Sequence, residues 1–542
     1  MKVIFLNGKI YVEKGVYAQA VLVEGARIAA VGTDEEVLAA AGADFDGEKI
    51  DCEGRTVIPG LNDTHLHLMY LGMLLNRVQI NGVKSIDELV RVCREFIQQH
   101  PERVANGMTS MGWNQDLFTE GEKRMPNRHD LDRISTEIPI VLDRVCAHAA
   151  VTNTKAIEML GLTVDSPEIP GGEIRREEDG YPSGIFTENA TSLAKSVIPE
   201  ASAEMKKEAL QSASEYAASL GLTSVQSNDI GASWCGDTGF NLFREVYDAG
   251  EGKVRYHHQV TFHTPEAFEE YLTSGEFTRD GYERDSMLTL GPLKLFKDGS
   301  LGARTALVEN GYVGDRDNHG IDCLPKEKMD QFCQLAKKYG IQVITHAIGD
   351  RASSEVIDCY EKAFVDGENK LRHSIVHCQI TDQALLDRIV ERDILVQAQP
   401  VFIDYDMSIL EPLCGPELAA TSYNFGSLLK RGAHLSYGTD SPVESCNPFP
   451  NIYMAVTRKS AGGQPEGGFY PDQCVDVETA VDAYTCGSAY NEFKEDIKGR
   501  IKPGYLADLV VLDKDIFTCD PMEIKDILPV LTMVDGKIVY RR

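Results

Sequence analysis

The sequence has no apolar run approaching the ~20 residues that a membrane-spanning helix needs. The opening run Val3-Ile4-Phe5-Leu6 is broken by Asn7-Gly8, too soon for the apolar segment of a secretory signal. Positive charge is scarce: 54 Lys and Arg stand against 84 Asp and Glu, a net charge of −30 at pH 7. Nucleic acid and anionic membrane surfaces are themselves negative, so neither is expected as a partner. The 13 cysteines are odd in number and include no Cys-x-x-Cys pair. Reduced thiols in a cytoplasm are the simplest expectation. Internal repeats, low-complexity tracts and flexible linkers are also missing.

What remains is an ordinary soluble composition, 43% hydrophobic and 25% charged. A chain of 542 residues can bury one large α/β domain and a satellite. Both ends read as short strands and turns. Val3–Leu6, Ile10–Val12, Ala20–Val23 and Ile28–Val31 alternate with Gly15, Gly25 and Gly32. Ala507–Leu512 and Val530–Val534 repeat the pattern, and Asp535-Gly536 is a strong hairpin signal. These ends predict one β-sandwich domain built from residues 1–55 and 491–542.

Between them, apolar strand candidates alternate with helical stretches. After the run 57–68 they are 223–226, 254–260, 293–296, 343–346, 374–377, 395–398 and 435–440. Eight such strands predict an α/β fold, a (β/α)8 TIM-like barrel over residues 56–490. Lys326 to Tyr339 reads as a helix ended by Gly340. Residues from about 70 to 200 break the rhythm and are read as an insertion after the first barrel strand, folding over the barrel mouth. The Gly- and Pro-rich run 461–471 reads as a loop.

The chemistry is carried by residues at strand ends. His65 and His67 stand at i and i+2, so a strand would present both imidazoles on one side. His346, His377 and Asp440 close three later strands, and imidazole nitrogens with a carboxylate suit Zn²⁺ or a similar ion. Lys294 and Lys297 also fall on or near a strand. An ammonium cannot ligate a cation, but the carbamate formed from a lysine amine and CO₂ can bridge two. Leu293 and Leu295 share the helix-facing side, which turns Lys294 into the barrel and favours it over Lys297. His257 and His258 are read as structural.

With these residues the chain resembles the amidohydrolase superfamily. Gly499–Val510 matches its terminal β-domain. Leu295–Gly302, Thr345–Ala352, Gly112–Gln115 and Gly171–Ile174 are similar to the branch containing N-substituted formamide deformylases, often called YtcJ-like. That branch often has Glu before the histidine of the sixth strand, where this chain has Val376; alternation is expected to turn Val376 away from the metal. The resemblance implies two divalent ions, zinc foremost. His65, His67, carboxylated Lys294 and Asp440 would hold one, and Lys294, His346 and His377 the other. It implies a metal-activated hydroxide attacking an amide-type carbonyl of a small N-acyl or N-formyl amine, with Asp440 moving the proton. His148 and Trp113 would polarise the carbonyl and wall the pocket, and Arg304 would meet an anionic group of the substrate. A homodimer is compatible with all of this. Two other readings stand beside it: a deaminase with one metal and no carboxylated lysine, and a non-catalytic relative used as an assembly module.

Overall fold

The computed structural model describes residues 2–145, 148–169, 171–231, 238–275 and 284–542. It divides into two compact units, Met1–Tyr70 with Ala213–Arg542, and Leu71–Ser212.

The first unit is organised around eight parallel strands: β1 Leu61–Leu66, β2 Leu222–Ile230, β3 Arg255–Val260, β4 Leu288–Phe296, β5 Val343–Ala347, β6 Ser374–His377, β7 Leu395–Ala398 and β8 Leu435–Tyr437. They pair in sequence order from β1 to β8. The outer helices follow from amphipathic spacing and end signals. Lys326–Tyr339 buries Met329, Phe332, Cys333 and Ala336, carries Lys337 and Lys338 in its last turn, and stops at Gly340 in the left-handed region (φ 69°).

β1 and β8 meet through a polar seam rather than a regular ladder. Asp440 N–H donates to His65 O at 2.8 Å, and His67 N–H donates to Ser441 O at 2.7 Å. The buried Asp63 carboxylate accepts from Thr439 Oγ1 at 2.6 Å, from Thr439 N, and from His65 N at 3.1 Å. Gly438 is required there, since a Cβ on it would lie 2.7 Å from His65 N and 2.8 Å from Asp63 Oδ1.

At the N-terminal ends of the strands a segment from near the C-terminus fills the barrel floor. Glu492, with a fully buried side chain, receives Asn62 Nδ2 at 2.7 Å and pairs with Lys494 at 3.0 Å and Lys498 at 2.5 Å. Lys494 donates to Thr289 Oγ1 and Lys498 to Ser224 Oγ. Asn491 exchanges hydrogen bonds with Gln226, Gln342 and Gln397. One short segment thereby touches residues on or beside five strands. Burial alone would raise the Glu492 carboxyl, but the two lysines hold it far below its ordinary range.

The termini build a pair of sheets in the same unit. One has the order 27–32, 20–24, 2–6, 48–51; the other runs 537–541, 529–534, 509–512, 56–59, 9–13, 16–18. Val3, Phe5, Ile10, Val57, Leu509, Val511 and Met533 belong to one core cluster, so both chain ends share one interior. Arg255 at the start of β3 is bound by Asp508 and Asp535 from these sheets.

The second unit has its own five-stranded sheet, ordered 172–176, 182–188, 149–152, 140–144, 108–113. The helix Ile86–Gln99, capped by Ser85, turns Ile86, Leu89, Val90 and Cys93 into its core.

Removing the carboxylate from the floor would leave two buried ammonium groups without their counter-charge. Glu492→Gln is therefore expected to cost about 3–5 kcal/mol of stability, read by urea unfolding at pH 7. A loss under about 1 kcal/mol, the scale of an exposed pair, would show that charge does not hold the floor.

Candidate metal centre

The opposite, C-terminal rim of the barrel gathers six residues. The ring centroids of His65 and His67 lie 5.2 Å apart, those of His65 and His377 5.8 Å, and those of His346 and His377 4.4 Å. Asp440 Oδ1 lies 3.1 Å from His67 Nε2 and 3.3 Å from His65 Nε2. Ligand atoms of His65, His377 and Asp440 all fall within 4.8 Å of one another. Lys294 points inward on β4; its amine is buried, 4.9 Å from the centre of the Phe296 ring.

Strand geometry accounts for part of this convergence. Lys294 pairs with Ile344 and Phe296 with His346, so these side chains share the inner face. His67 lies one residue past β1, and Asp440 lies past β8 rather than on a strand reaching 440. On β6 the alternation expectation fails. Val376 is the residue in register with His346 and with Gln397, so it faces the same side as His346. Plain alternation would send His377 to the other face. Its backbone instead adopts φ 78°, and the left-handed turn at the strand end brings the imidazole into the cluster. Asp440 likewise has φ 56°. Such conformations in non-glycine residues cost of order 1–3 kcal/mol and persist only where the surroundings fix them.

Each imidazole has one nitrogen committed to a carbonyl-type acceptor. His65 Nδ1 is 2.7 Å from Gln259 Oε1, and His67 Nδ1 is 2.7 Å from Asn228 O. His377 Nδ1 is 2.8 Å from Gln399 Oε1, and His346 Nε2 is 3.0 Å from Gly299 O. A carbonyl oxygen accepts only, so the committed nitrogen carries the proton and the other ring nitrogen carries a lone pair. Burial, reinforced by Lys294, holds His65 well below its ordinary value and His346 at about 4. Burial and the neighbouring His346 do the same for His377. The orphaned atoms follow the same pattern: His377 Nε2 and Lys294 Nζ are buried with no hydrogen-bond partner among the described residues. Nitrogen lone pairs therefore converge with a carboxylate oxygen, an arrangement that repels itself unless a cation lies within it. The donor set of neutral imidazoles and one carboxylate fits a divalent ion of the zinc type. In the absence of metal a proton serves: burial would lower His67, but its hydrogen bond to Asp440 and the Asp440 charge raise it.

Two carboxylates that sequence reasoning missed support the cluster. Asp63 holds the seam under His65, and Asp298 accepts from Leu307 N, Ile348 N and Gly349 N while lying 3.5 Å from His346 Nε2. Burial pushes both carboxyls up to about 7. Asp298 lies within the Leu295–Gly302 motif, but the motif does not reveal that its carboxylate reaches Ile348, Gly349 and His346. Lys297, the other lysine considered, pairs with Asp322 and Glu355 at 2.7 Å each, away from the histidines. His257 bonds Thr289, and His258 is enclosed by Phe240, Phe243 and Tyr256.

The remaining expected residues are placed differently. Trp113 belongs to the second unit, where it is fully buried in that unit's core, with its indole N–H donating to Leu142 O at 2.9 Å. A ring packed on all sides with its only polar atom satisfied is a core element. His148, in the same unit, is exposed and pairs with Glu188 at 2.9 Å. Arg304 belongs to the first unit, at the turn of a tight loop closed by Gly299 N–Thr305 O and Thr305 N–Ser300 O bonds. It is exposed with φ 55°, and no ion pair engages it among the described residues.

A family model described as an amidohydrolase family matches residues 48–540. The Bacillus subtilis protein YtcJ is 30% identical over 544 residues, covering 100% of each chain. The N-substituted formamide deformylase of Arthrobacter pascens is 27% identical over 534 residues, 97% of this chain and 95% of that one. Among solved structures, a metal-dependent hydrolase from Pyrococcus furiosus has 30% identity and a TM-score of 0.75 over 96% of this chain and 100% of its own.

The His67–Asp440 proton makes a measurable demand. Metal must displace it, so zinc affinity of chelator-stripped protein is expected to fall, up to about tenfold per pH unit for one competing proton, as pH drops below the raised His67 value. Calorimetry between pH 5.5 and 8 checks this, and an affinity independent of pH over that range would refute the shared proton.

Proposed function

The chain belongs to the amidohydrolase family, and from that premise we propose a metal-dependent hydrolase that cleaves an amide-type carbon–nitrogen bond of a small N-acyl or N-formyl amine. The observation that carries the reading is the convergence of imidazole lone pairs on the ionised Asp440. The name of the Arthrobacter relative favours N-formyl amines among the substrates.

His65, His67 and Asp440 are assigned to one ion and His346 and His377 to a second, with Lys294 between them. The buried amine of Lys294 lacks a partner, and burial brings it down to about 7, so a neutral fraction exists at physiological pH. A neutral amine adds CO₂ through its nitrogen lone pair and loses a proton, giving a carbamate whose two oxygens are anionic ligands. A single-metal deaminase arrangement would leave this amine without a use, which favours the bridged reading. Bound divalent metal would polarise a carbonyl and supply a nucleophilic hydroxide near neutral pH.

The residues do the rest. Burial would raise the Asp440 carboxyl, but the hydrogen bond from His67 holds it well below the usual carboxylate range, so it enters the reaction ionised. Its Oδ atoms are placed to take a proton from the attacking water and return it to the departing nitrogen, which leaves as a neutral amine. Phe402 stacks on His377 with an interplanar angle of 14°, and Phe296 lies 5.9 Å from His346, giving the cluster apolar neighbours that limit water. Arg304 is free to receive an anionic substituent.

Asp440→Asn is expected to lower turnover by about 10²–10⁴ in a screen of N-formyl and N-acyl amines, with metal content measured in parallel. Near-normal turnover in the metal-loaded variant would remove Asp440 from proton transfer. Arg304→Ala should raise KM for substrates bearing a carboxylate and leave neutral ones unchanged; equal effects on both would remove Arg304 from substrate contact.

A further inference from the structure

We propose that Gln259 and Gln399 are positioning residues whose side-chain amides dictate which ring nitrogen of His65 and His377 is offered to metal. The inference rests on the metal-dependent reading above but concerns the protein before any ion binds.

A histidine ligand has two nitrogens, and a strand fixes only the direction of Cβ. If the proton sat on the inward nitrogen, the ring would present an N–H to the incoming cation instead of a lone pair. Two of the four imidazoles are settled by main-chain carbonyls, those of Asn228 and Gly299. The other two are settled by amide oxygens of glutamine. An amide can in principle face either way, offering oxygen or NH₂, so the direction of each glutamine has to be fixed in turn. Both are. Gln259 Nε2 donates to Thr64 O at 2.8 Å, and Gln399 Nε2 donates to Gln397 O at 3.0 Å. Since a main-chain carbonyl can only accept, the NH₂ end must face it, and Oε1 is left facing His65 Nδ1 or His377 Nδ1. The chain of consequence runs from backbone carbonyl to amide to imidazole, and it ends at a lone pair on Nε2.

Burial makes the arrangement rigid. Gln259 is 0% and Gln399 1% exposed, so water does not compete for either end. Neither residue comes from the strand of the histidine it serves: Gln259 is on β3 and reaches a histidine of β1, and Gln399 follows β7 and reaches the end of β6. Each therefore also ties the ring to another strand or strand end, which matters most for His377 with its left-handed backbone. The uncharged acceptor has a second effect. A carboxylate at the same place would draw His65 or His377 toward the imidazolium, whereas an amide orients the ring and leaves it neutral.

The test separates orientation from packing. Leucine has nearly the volume of glutamine but accepts nothing; glutamate still accepts but adds a buried charge. Gln259→Leu and Gln399→Leu are expected to weaken zinc binding by about tenfold to hundredfold, measured by competition with a chromophoric chelator on stripped protein. Gln259→Glu and Gln399→Glu should bind zinc as tightly as wild type or more so. A packing role predicts the reverse order, with leucine tolerated and glutamate damaging, and that result would overturn the proposal. Imidazole ¹⁵N shifts of the zinc-free wild-type protein give a readout independent of the variants folding. Protonated Nδ1 and bare Nε2 at His65 and His377 are expected, and protonated Nε2 at either would refute the assignment. If wild-type protein binds no zinc, the metal-dependent reading fails, while the nitrogen shifts still decide what the glutamines do.

Discussion

The barrel closes through the same few bonds that assemble its cluster. Asp440 N to His65 O and His67 N to Ser441 O are main-chain bonds between the first and last strands, and they involve three of the six converging residues directly. Asp63 sits beneath, its carboxylate taking hydrogen bonds from Thr439 on one side and His65 on the other. Opening the seam would therefore separate His65 and His67 from Asp440, and separating them would open the seam. Gly438 makes the contact sterically feasible, because the two backbones approach too closely for a side chain. In a parallel barrel every strand is positioned by its neighbours, so the polar clasp that stands in for a ladder between the first and last strands helps to set their registration.

The two ends of the barrel handle polarity in opposite ways. On the floor, Glu492, Lys494, Lys498 and Asn491 are matched against partners on the strands, and full charges are tolerated because each has a counter-charge or an acceptor. At the rim, the imidazoles are kept neutral and their lone pairs are aimed at one another and at a carboxylate. Buried charges matched by counter-charges hold a fold together; converging lone pairs left short of a cation make a site. The contrast locates function without reference to cavity size. A cavity of about 710 Å³, lined by Arg316, Asp350, Glu417 and others, contains none of the converging histidines.

Much of this was legible in the sequence, and the reasons differ by feature. The eight strands were readable because each is a short apolar run bounded by turn residues, although β2 and β4 extend beyond their apolar centres into Asn228-Asp229 and Leu288–Gly291. The inward direction of Lys294 followed from Leu293 and Leu295, since alternation holds in mid-strand. It failed at His377 because the left-handed turn there belongs to a non-glycine residue, and nothing local in Ile375-Val376-His377-Cys378 announces it. The burial of Trp113 was not announced by its Gly-Trp-Asn-Gln motif; the cluster that encloses it comes from elements distant in sequence. Asp63, Asp298, Gln259 and Gln399 were illegible for a common reason. Their importance lies entirely in whom they touch across the barrel, and a carboxylate or amide on a strand or just past its end has no pattern that reveals its partner.

The floor has an implication for how the molecule is made. Residues 488–498 reach β2, β5 and β7 only after more than 480 residues have been synthesised, and Arg255 of β3 waits still longer for Asp508 and Asp535. Until then Asn62, Ser224, Gln226, Thr289 and Gln397 line an inner surface whose polar groups have water in place of their eventual partners. Completion of the strand ring therefore leaves these polar groups unmatched, and residues 488–498 supply their protein partners.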